Sequence, residues 1–377
     1  MLDLKRQYEP LHQELLAAIE QILKTQQFTL GGAVAAFERD GAAQLGVAHG
    51  IGCASGTDAL WLALAAAGIG PGETVITTPF SFFASVSAIL RVGAKALLAD
   101  IDPVTFNLDA MEVEKLLDST AGAGVKAILP VHLYGQCCNW DSFAGFGRER
   151  GLTLVEDAAQ AWGAEWKGTK AGGLGDIAAF SFYATKNLSA AGEAGMVTTN
   201  SDALAERATM LRSHGMRRRY YHDEIGWNAR MDGFQGAVLG VKLKYVAGWN
   251  EARRAVAARY HQLFAKTGLA ESGPYPVHGV VLPREIEGAK SIWHQYVIRT
   301  PKRDALREFL AGRKIGSEIY YPVPLHMQDA LKCLGYSEGD LPEAERAAHE
   351  VLALPMFPEL RKDEQETVVA AIAEFLS

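Results

Sequence analysis

"AAFSFYATKNLSAAGEAGMVTTN", residues 178–200, places a single lysine, Lys186, between two apolar runs, Ala178–Tyr183 and Met196–Thr199. Continuous apolar runs of this length mark strands that are covered on both faces. A cation set between two such strands is costly unless it is paired, neutral or chemically used. The fold therefore turns on what the neighbouring strands are and what groups they bring to Lys186.

Working outward, runs of the same kind recur near 50–54, 73–78 ("ETVITT"), 94–100 ("AKALLAD"), 125–131 ("VKAILPV") and 152–156 ("LTLVE"). They join 177–182 and 195–199 to make seven expected strands. The segment "GTDALWLALAAAG" (56–68) is too long and too rich in Ala and Leu for a strand, and predicts a helix ended by Gly68. Alternation of this kind predicts an α/β layer, a mostly parallel seven-stranded sheet flanked by helices. After about residue 235 the texture changes. Residues 234–268 read as a long helix, interrupted near Gly248 and closed by Gly268. A Pro/Gly-rich stretch (272–289), a strand in "WHQYVIR", a helix in "RDALREFLAGR", a Pro-rich segment (322–324) and a terminal helix (362–377) follow. The expected division is a large α/β domain over 1–245 and a smaller α+β domain over 246–377.

Composition narrows the function classes. The 377 residues are 49% hydrophobic and 21% charged, with a formal net charge of −7, which fits a soluble globular protein and argues against a nucleic-acid surface. No apolar run reaches the roughly 18 residues of a membrane span. The opening stretch, "MLDLKRQYEPLHQELLAAIEQIL", carries acids within its periodic pattern and reads as an amphipathic helix, not a signal peptide. The four cysteines, Cys53, Cys137, Cys138 and Cys333, form no CxxC pair, which points to a reduced, cytoplasmic enzyme without zinc.

Three motifs carry chemistry. In "CASGTDAL" (53–60) a strand gives way to a helix at Ser55, Gly56 and Thr57, a junction whose free N–H groups suit an anion or, more plainly, a helix cap. In "LTLVEDAAQAWGA" (152–164), Glu156 and Asp157 lie at the carboxyl end of a strand, where open α/β sheets bind ligands. A carboxylate there can serve a protonated ring nitrogen, a metal or a helix cap; no His/Asp cluster at metal spacing accompanies it. The third is Lys186, with Ser181 five residues before it. Small apolar surroundings would desolvate its ammonium, as a nucleophilic lysine requires, although a loop lysine can also reach solvent. An anion cup, a carboxylate and a lysine at the ends of strands of one sheet are what pyridoxal 5′-phosphate requires.

Ordered blocks then resemble the DegT/DnrJ/StrS family of nucleotide-sugar aminotransferases, which share fold type I of the pyridoxal-phosphate-dependent transferases. The blocks are "FTLGGAVAAFERDGAAQLGVAHGIGCASGTDAL", "VITTPFSFFAS", "LLADIDPVTFNLD", "PVHLYGQ", "VEDAAQAWGA", "SFYATKNLSAAGEAGMVTT", "GWNARMDGFQGAVLGVKL" and "YYPVPLHMQ". The resemblance implies a role for each matching residue. Lys186 would hold the cofactor aldehyde as a Schiff base and shuttle the proton. Asp157 would pair with the pyridinium nitrogen and Gln160 with the 3-hydroxyl, while Gly56, Thr57 and Ser181 would hold the phosphate. Phe82 would stack on the ring, a core role being the plainer alternative. Asn228 would reach the phosphate of the neighbouring subunit's cofactor, which makes the unit a homodimer with shared active sites. Arg230 would face the neighbour's sugar site or make a structural ion pair. Tyr321 and His326 would face the substrate, and the proline-stiffened "YYPVPLHMQ" looks more like relatives acting on 3-keto than on 4-keto sugars. "RRRYYHDE" (217–224) reads as a substrate loop or a solvated surface loop, and His132 as a structural histidine. Departures are Ala184, where many relatives have proline, and "AAGEAGM" in place of a glycine-rich acidic run.

The activity implied is transfer of an amino group from glutamate to a keto group, at C3, of a UDP- or dTDP-linked sugar, in ping-pong fashion. Amination at C4 is the near alternative. A sugar dehydratase (lyase) of the same family would have histidine at position 186. A regulatory relative without catalysis would not need Lys186, Asp157 and Gln160 together. A dinucleotide-binding enzyme lacks its GxGxxG here.

Overall fold

The computed structural model describes residues 1–377. Seven strands form the central sheet: β1 (His49–Cys53), β2 (Thr74–Thr77), β3 (Lys95–Leu98), β4 (Val125–Leu129), β5 (Thr153–Asp157), β6 (Ile177–Ser181) and β7 (Gly195–Thr199). Their order is β1-β7-β6-β5-β4-β2-β3. Only β7 runs against the others, pairing antiparallel with both β1 and β6. Every other neighbouring pair is parallel, the arrangement expected from the apolar runs. Successive strand residues enter different cores. Val75, Ala127, Ala179 and Val197 point into one, and Ile76, Ile128, Phe180 and Met196 into the other, so the period-2 alternation of a strand is apolar on both sides.

The helix Gly56–Ala66 ends as its glycine predicts, with Gly68 at φ +79°. The helical segment 234–268 corrects one expectation. It is two helices, Gly233–Leu243 and Val246–Thr267, broken at Lys244–Tyr245 and not at Gly248. At the break both residues reach the helix His12–Thr25: Lys244 Nζ pairs with Glu14 at 3.1 Å, and the Tyr245 hydroxyl donates to the same carboxylate. Gly248 lies inside the second helix, which closes at Gly268 with φ +72°. A second, four-stranded sheet combines Ala270–Glu271, Val280–Val281, Tyr296–Arg299 and Val351–Leu354. The terminal helix Lys362–Leu376 packs against Val246–Thr267. No helix is long and apolar enough to cross a membrane.

The register of β7 fixes the mouth of the sheet. Gly195 lies opposite Cys53 on one side and Ser181 on the other, which brings the turns after β1 and β6 against one another. A Cβ at Gly195 would lie 2.2 Å from the Ser55 carbonyl oxygen, and one at Gly56 would lie 2.4 Å from Ser181 Cβ. Two glycines, one in "CASGTDAL" and one in "AAGEAGM", are therefore steric requirements of the same contact.

Gly195→Ala should accordingly destabilise the protein by about 1–3 kcal/mol, the usual cost of forcing a carbon into a filled site. Gly248→Ala, with nothing within 4 Å of the new methyl group, should stabilise it by about 0.5–1 kcal/mol through helix propensity. Urea denaturation of both variants checks the pair of opposite signs.

Candidate active site

The carboxyl ends of β1, β5 and β6 face one crevice, as parallel packing requires. At the end of β1, Ser55 caps the helix Gly56–Ala66. Its Oγ accepts from the Asp58 N–H at 3.0 Å, and it donates to Asp58 Oδ2 at 3.0 Å. Both meanings of the motif thus hold at once. Ser55 is an ordinary cap, while Gly56 and Thr57, in the first turn, keep N–H groups with no intrahelical acceptor. The Asp58 carboxylate would oppose an anion there, but Arg91 Nη1 holds it at 2.9 Å. Ser181, the last residue of β6, stands against Gly56 with its hydroxyl on the same side.

Glu156 and Asp157 end β5, and strand alternation sends them to opposite faces. Glu156, fully buried, accepts from the N–H groups of Gly172, Leu174 and Gly175 at 2.8–2.9 Å and pairs with His132 Nε2 at 3.0 Å. His132 Nδ1 accepts from the Cys138 N–H at 3.2 Å, so its proton sits on Nε2. That leaves His132 neither a free base nor a free acid, the structural part expected of it. Asp157 turns to the crevice, only 3% exposed. Its Oδ2 accepts from Ser85 Oγ at 2.7 Å, and Oδ1 from the Ala159 N–H at 3.2 Å. Burial raises its carboxyl above the usual range, opposed by those two bonds and by the charge of Lys186.

Lys186 follows β6 in a turn closed by its own N–H to the Tyr183 carbonyl, at 2.8 Å. The side chain is half-buried, and desolvation lowers the amine to about 8, with Asp157 pulling the other way. No hydrogen-bond partner offsets that loss. Asn187, buried beside it, ties the turn down through Nδ2 to the Trp162 carbonyl (2.9 Å) and to Asn250 Oδ1 (3.1 Å). Across the crevice Gln160 Oε1 accepts from the Tyr134 N–H at 2.7 Å, and its Nε2 donates to the Tyr321 hydroxyl at 3.2 Å. Burial keeps that hydroxyl protonated. Phe82, expected to stack, is 60% exposed, a large apolar ring left uncovered.

Other expected residues lie around this cluster. Asn228 is exposed and accepts from Arg230 Nε at 3.0 Å, and the segment runs beside β1, where the Ala54 N–H donates to the Ala229 carbonyl at 3.0 Å. Arg230 thus makes no ion pair with a carboxylate. His326, 2% exposed, bonds Glu345 through Nε2 at 2.9 Å, and no bond links it to Lys186, Asp157 or Gln160. Met216–Arg218 pairs with Tyr221–His222 in a largely exposed hairpin, with Arg218 stacked 4.0 Å over Tyr221. The residues missed from sequence are Ser85 and Asn187. Both lie inside quoted blocks, but a serine in a helix and an asparagine after a lysine carry no signal until the fold gives them partners.

The set fits pyridoxal 5′-phosphate. A helix N-terminus with a hydroxyl beside it suits the phosphate, a buried carboxylate suits a protonated ring nitrogen, and an amine without a partner suits an aldehyde. Gln160 retains one donor and one acceptor site for a ring hydroxyl.

The model of the DegT/DnrJ/EryC1/StrS aminotransferase family matches residues 10–373 of the chain. The "pleiotropic regulatory protein" of Geobacillus stearothermophilus is 47% identical, across 100% of this chain and 98% of that one. The UDP-N-acetyl-3-dehydro-alpha-D-glucosamine 3-aminotransferase of Acidithiobacillus ferrooxidans is 38% identical, across 100% and 97%. Among solved structures, DesV of S. venezuelae in complex with a ketimine intermediate superposes with a TM-score of 0.93 at 39% identity, across 100% and 97%.

A lysine held at about 8 is an ammonium in acid and an amine above that point. Capture of a small aromatic aldehyde by the apoprotein should therefore speed up as pH rises and level off above about 8. Asp157→Asn removes the charge that favours the ammonium, so its midpoint should move to lower pH. Stopped-flow absorbance against pH checks both.

Proposed function

The chain belongs to the DegT/DnrJ/EryC1/StrS aminotransferase family, and we propose that it moves an amino group from glutamate to the C3 keto group of a UDP- or dTDP-linked sugar. The reading rests above all on Lys186, a desolvated amine without a partner that faces a buried carboxylate at the mouth of the sheet. Pyridoxal 5′-phosphate, when bound, supplies a carbon that accepts the amine and a ring that draws off electrons. The first turn at Gly56 and Thr57, with Ser181, binds its phosphate. Asp157 holds a proton on its ring nitrogen, Gln160 orients its 3-hydroxyl, and Phe82 covers a ring face and excludes water. Lys186 would hold the aldehyde and, once the amine of the donor displaced it, would take a proton at Nζ as the neutral amine and return it as the ammonium, once in each half of a ping-pong cycle. Tyr321, Arg230 and His326 are read as serving the sugar side; Nδ1 of His326 is buried without a partner.

The choice of C3 is supported by the Acidithiobacillus relative, whose name is that of a 3-aminotransferase acting on a 3-dehydro sugar. Asn228 is read as serving the neighbour's phosphate in a homodimer. Its exposure supports this, as do the exposed Leu16, Leu23 and Trp227, apolar surface that a second subunit would cover. Four free thiols support a cytoplasmic setting. A regulatory role is the second reading, favoured by the name of the Geobacillus relative. The intact set of Lys186, Asp157 and Gln160 favours catalysis.

Lys186→Ala should lower turnover by roughly a thousandfold or more and still bind pyridoxamine phosphate, which mass spectrometry of the native protein detects. A panel of 3-keto and 4-keto sugars linked to UDP or dTDP, assayed for 2-oxoglutarate formed from glutamate, tests the rest. Turnover confined to 4-keto sugars would overturn the assignment of C3.

A further inference from the structure

Two buried hydroxyls stand behind Asp157. Ser85, in the first turn of the helix Ala84–Arg91, is 1% exposed, and its Oγ lies 2.7 Å from Asp157 Oδ2. Ser81, 4% exposed, has its Oγ 2.9 Å from Ser85 Oγ. A hydroxyl has one proton to give, and an ionised carboxylate can only accept. With Asp157 charged, Ser85 must spend its proton on the carboxylate, so Ser81 must donate to Ser85. The order of protons is thereby fixed as Ser81 to Ser85 to Asp157. A hydroxyl that accepts such a bond becomes a stronger donor, so Ser81 strengthens the bond from Ser85 and thereby stabilises the carboxylate charge. Because Ser85 occupies Oδ2, and the Ala159 N–H reaches Oδ1 only at 3.2 Å, Oδ1 keeps an open lone pair for a cationic partner.

We propose that Ser85, seconded by Ser81, is the positioning residue that keeps Asp157 ionised and aims Oδ1 at the cofactor's ring nitrogen. This rests on the reading of Asp157 in the preceding section. The Ser85 bond is the shortest that the carboxylate makes and the only one from a side chain. The titratable groups that face Asp157 are Lys186 after β6, His132 after β4, Tyr321 and Cys138. Burial keeps the phenol and the thiol neutral, and His132 is spent on Glu156. Lys186 favours the carboxylate but makes no direct bond to it, so loss of Ser85 has no replacement in the site. Burial already raises the Asp157 carboxyl, and loss of a donor to its charged form raises it further. A larger share of the variant is then a neutral acid at low pH, unable to hold a pyridinium.

The test titrates apoproteins with pyridoxal 5′-phosphate and pyridoxamine phosphate, followed by absorbance and tryptophan fluorescence, across about pH 6 to 9. Ser85→Ala should weaken cofactor binding about tenfold, as loss of a hydrogen bond to a charged group does. The ratio of its Kd to that of the parent should grow as pH falls. Ser85→Thr should restore binding, and Ser81→Ala should show the same trend at about threefold, through the outer bond of the row. The thermal midpoints of the apoproteins separate positioning from packing. If Ser85→Ala and Ser85→Thr both lose apoprotein stability and cofactor affinity alike, with no pH trend, the proposal is overturned. Parent-like affinity of Ser85→Ala at every pH, with Asp157→Asn impaired, overturns it too. Parent-like affinity of Asp157→Asn would instead sink the reading of Asp157 beneath it. Should Ser85→Ala fail to fold, Ser81→Ala decides by the same ratio.

Discussion

A carboxylate removed from water has to be matched by donors or by a cation, and the end of β5 presents two in succession. Glu156 is matched within the chain, by three backbone N–H groups and by His132. Its charge is consumed in fixing the loop 171–175 to the sheet. Asp157 is matched only in part, by one hydroxyl and one long N–H contact, and Lys186 stands near it without touching it. The fold therefore stores an unfinished charge pair at the mouth of the sheet. A ligand bearing a cationic nitrogen and a group that engages an amine completes it, and most of the site can be read as what that completion requires.

Steric limits do the rest. The Ser181 side chain, the helix start at Gly56 and the strand start at Gly195 converge so closely that two of the three positions have room only for hydrogen. This contact holds the turn after β6 against the helix N-terminus and so places a hydroxyl and free backbone N–H groups at one point. It rests on the one reversed strand, β7, whose pairing with β1 and β6 at once joins the two turns. Asn187 then fixes the far side of the Lys186 turn to Trp162 and Asn250. The lysine is thus held at its base, while its amine makes no hydrogen bond.

Much of this was legible in the residues. Apolar runs without alternation predict strands buried on both faces, and all seven are present because that pattern reports burial directly. Gly68 and Gly268 mark helix ends, because a backbone in the left-handed region favours glycine whatever surrounds it. The break in residues 234–268 lies at Lys244–Tyr245 and not at Gly248, because a glycine lowers helix propensity without forbidding the helix. Ser55 was ambiguous between a cap and an anion site because both use the same atoms, and the geometry gives Ser55 to the cap and the free N–H groups to Gly56 and Thr57.

The sequence by itself determined the residue types that end each strand, hence the class of fold and the presence of an amine, a carboxylate and a helix start. These are local properties: periodicity, chain stiffness and the chemistry of side chains. Only the tertiary structure decided which carboxylate stays available, which histidine is already spent, and which serine stands behind Asp157. Each of those depends on a partner far away in the chain, such as Ser85 to Asp157 or Gly172 to Glu156, and distance along a sequence carries no information about distance in space.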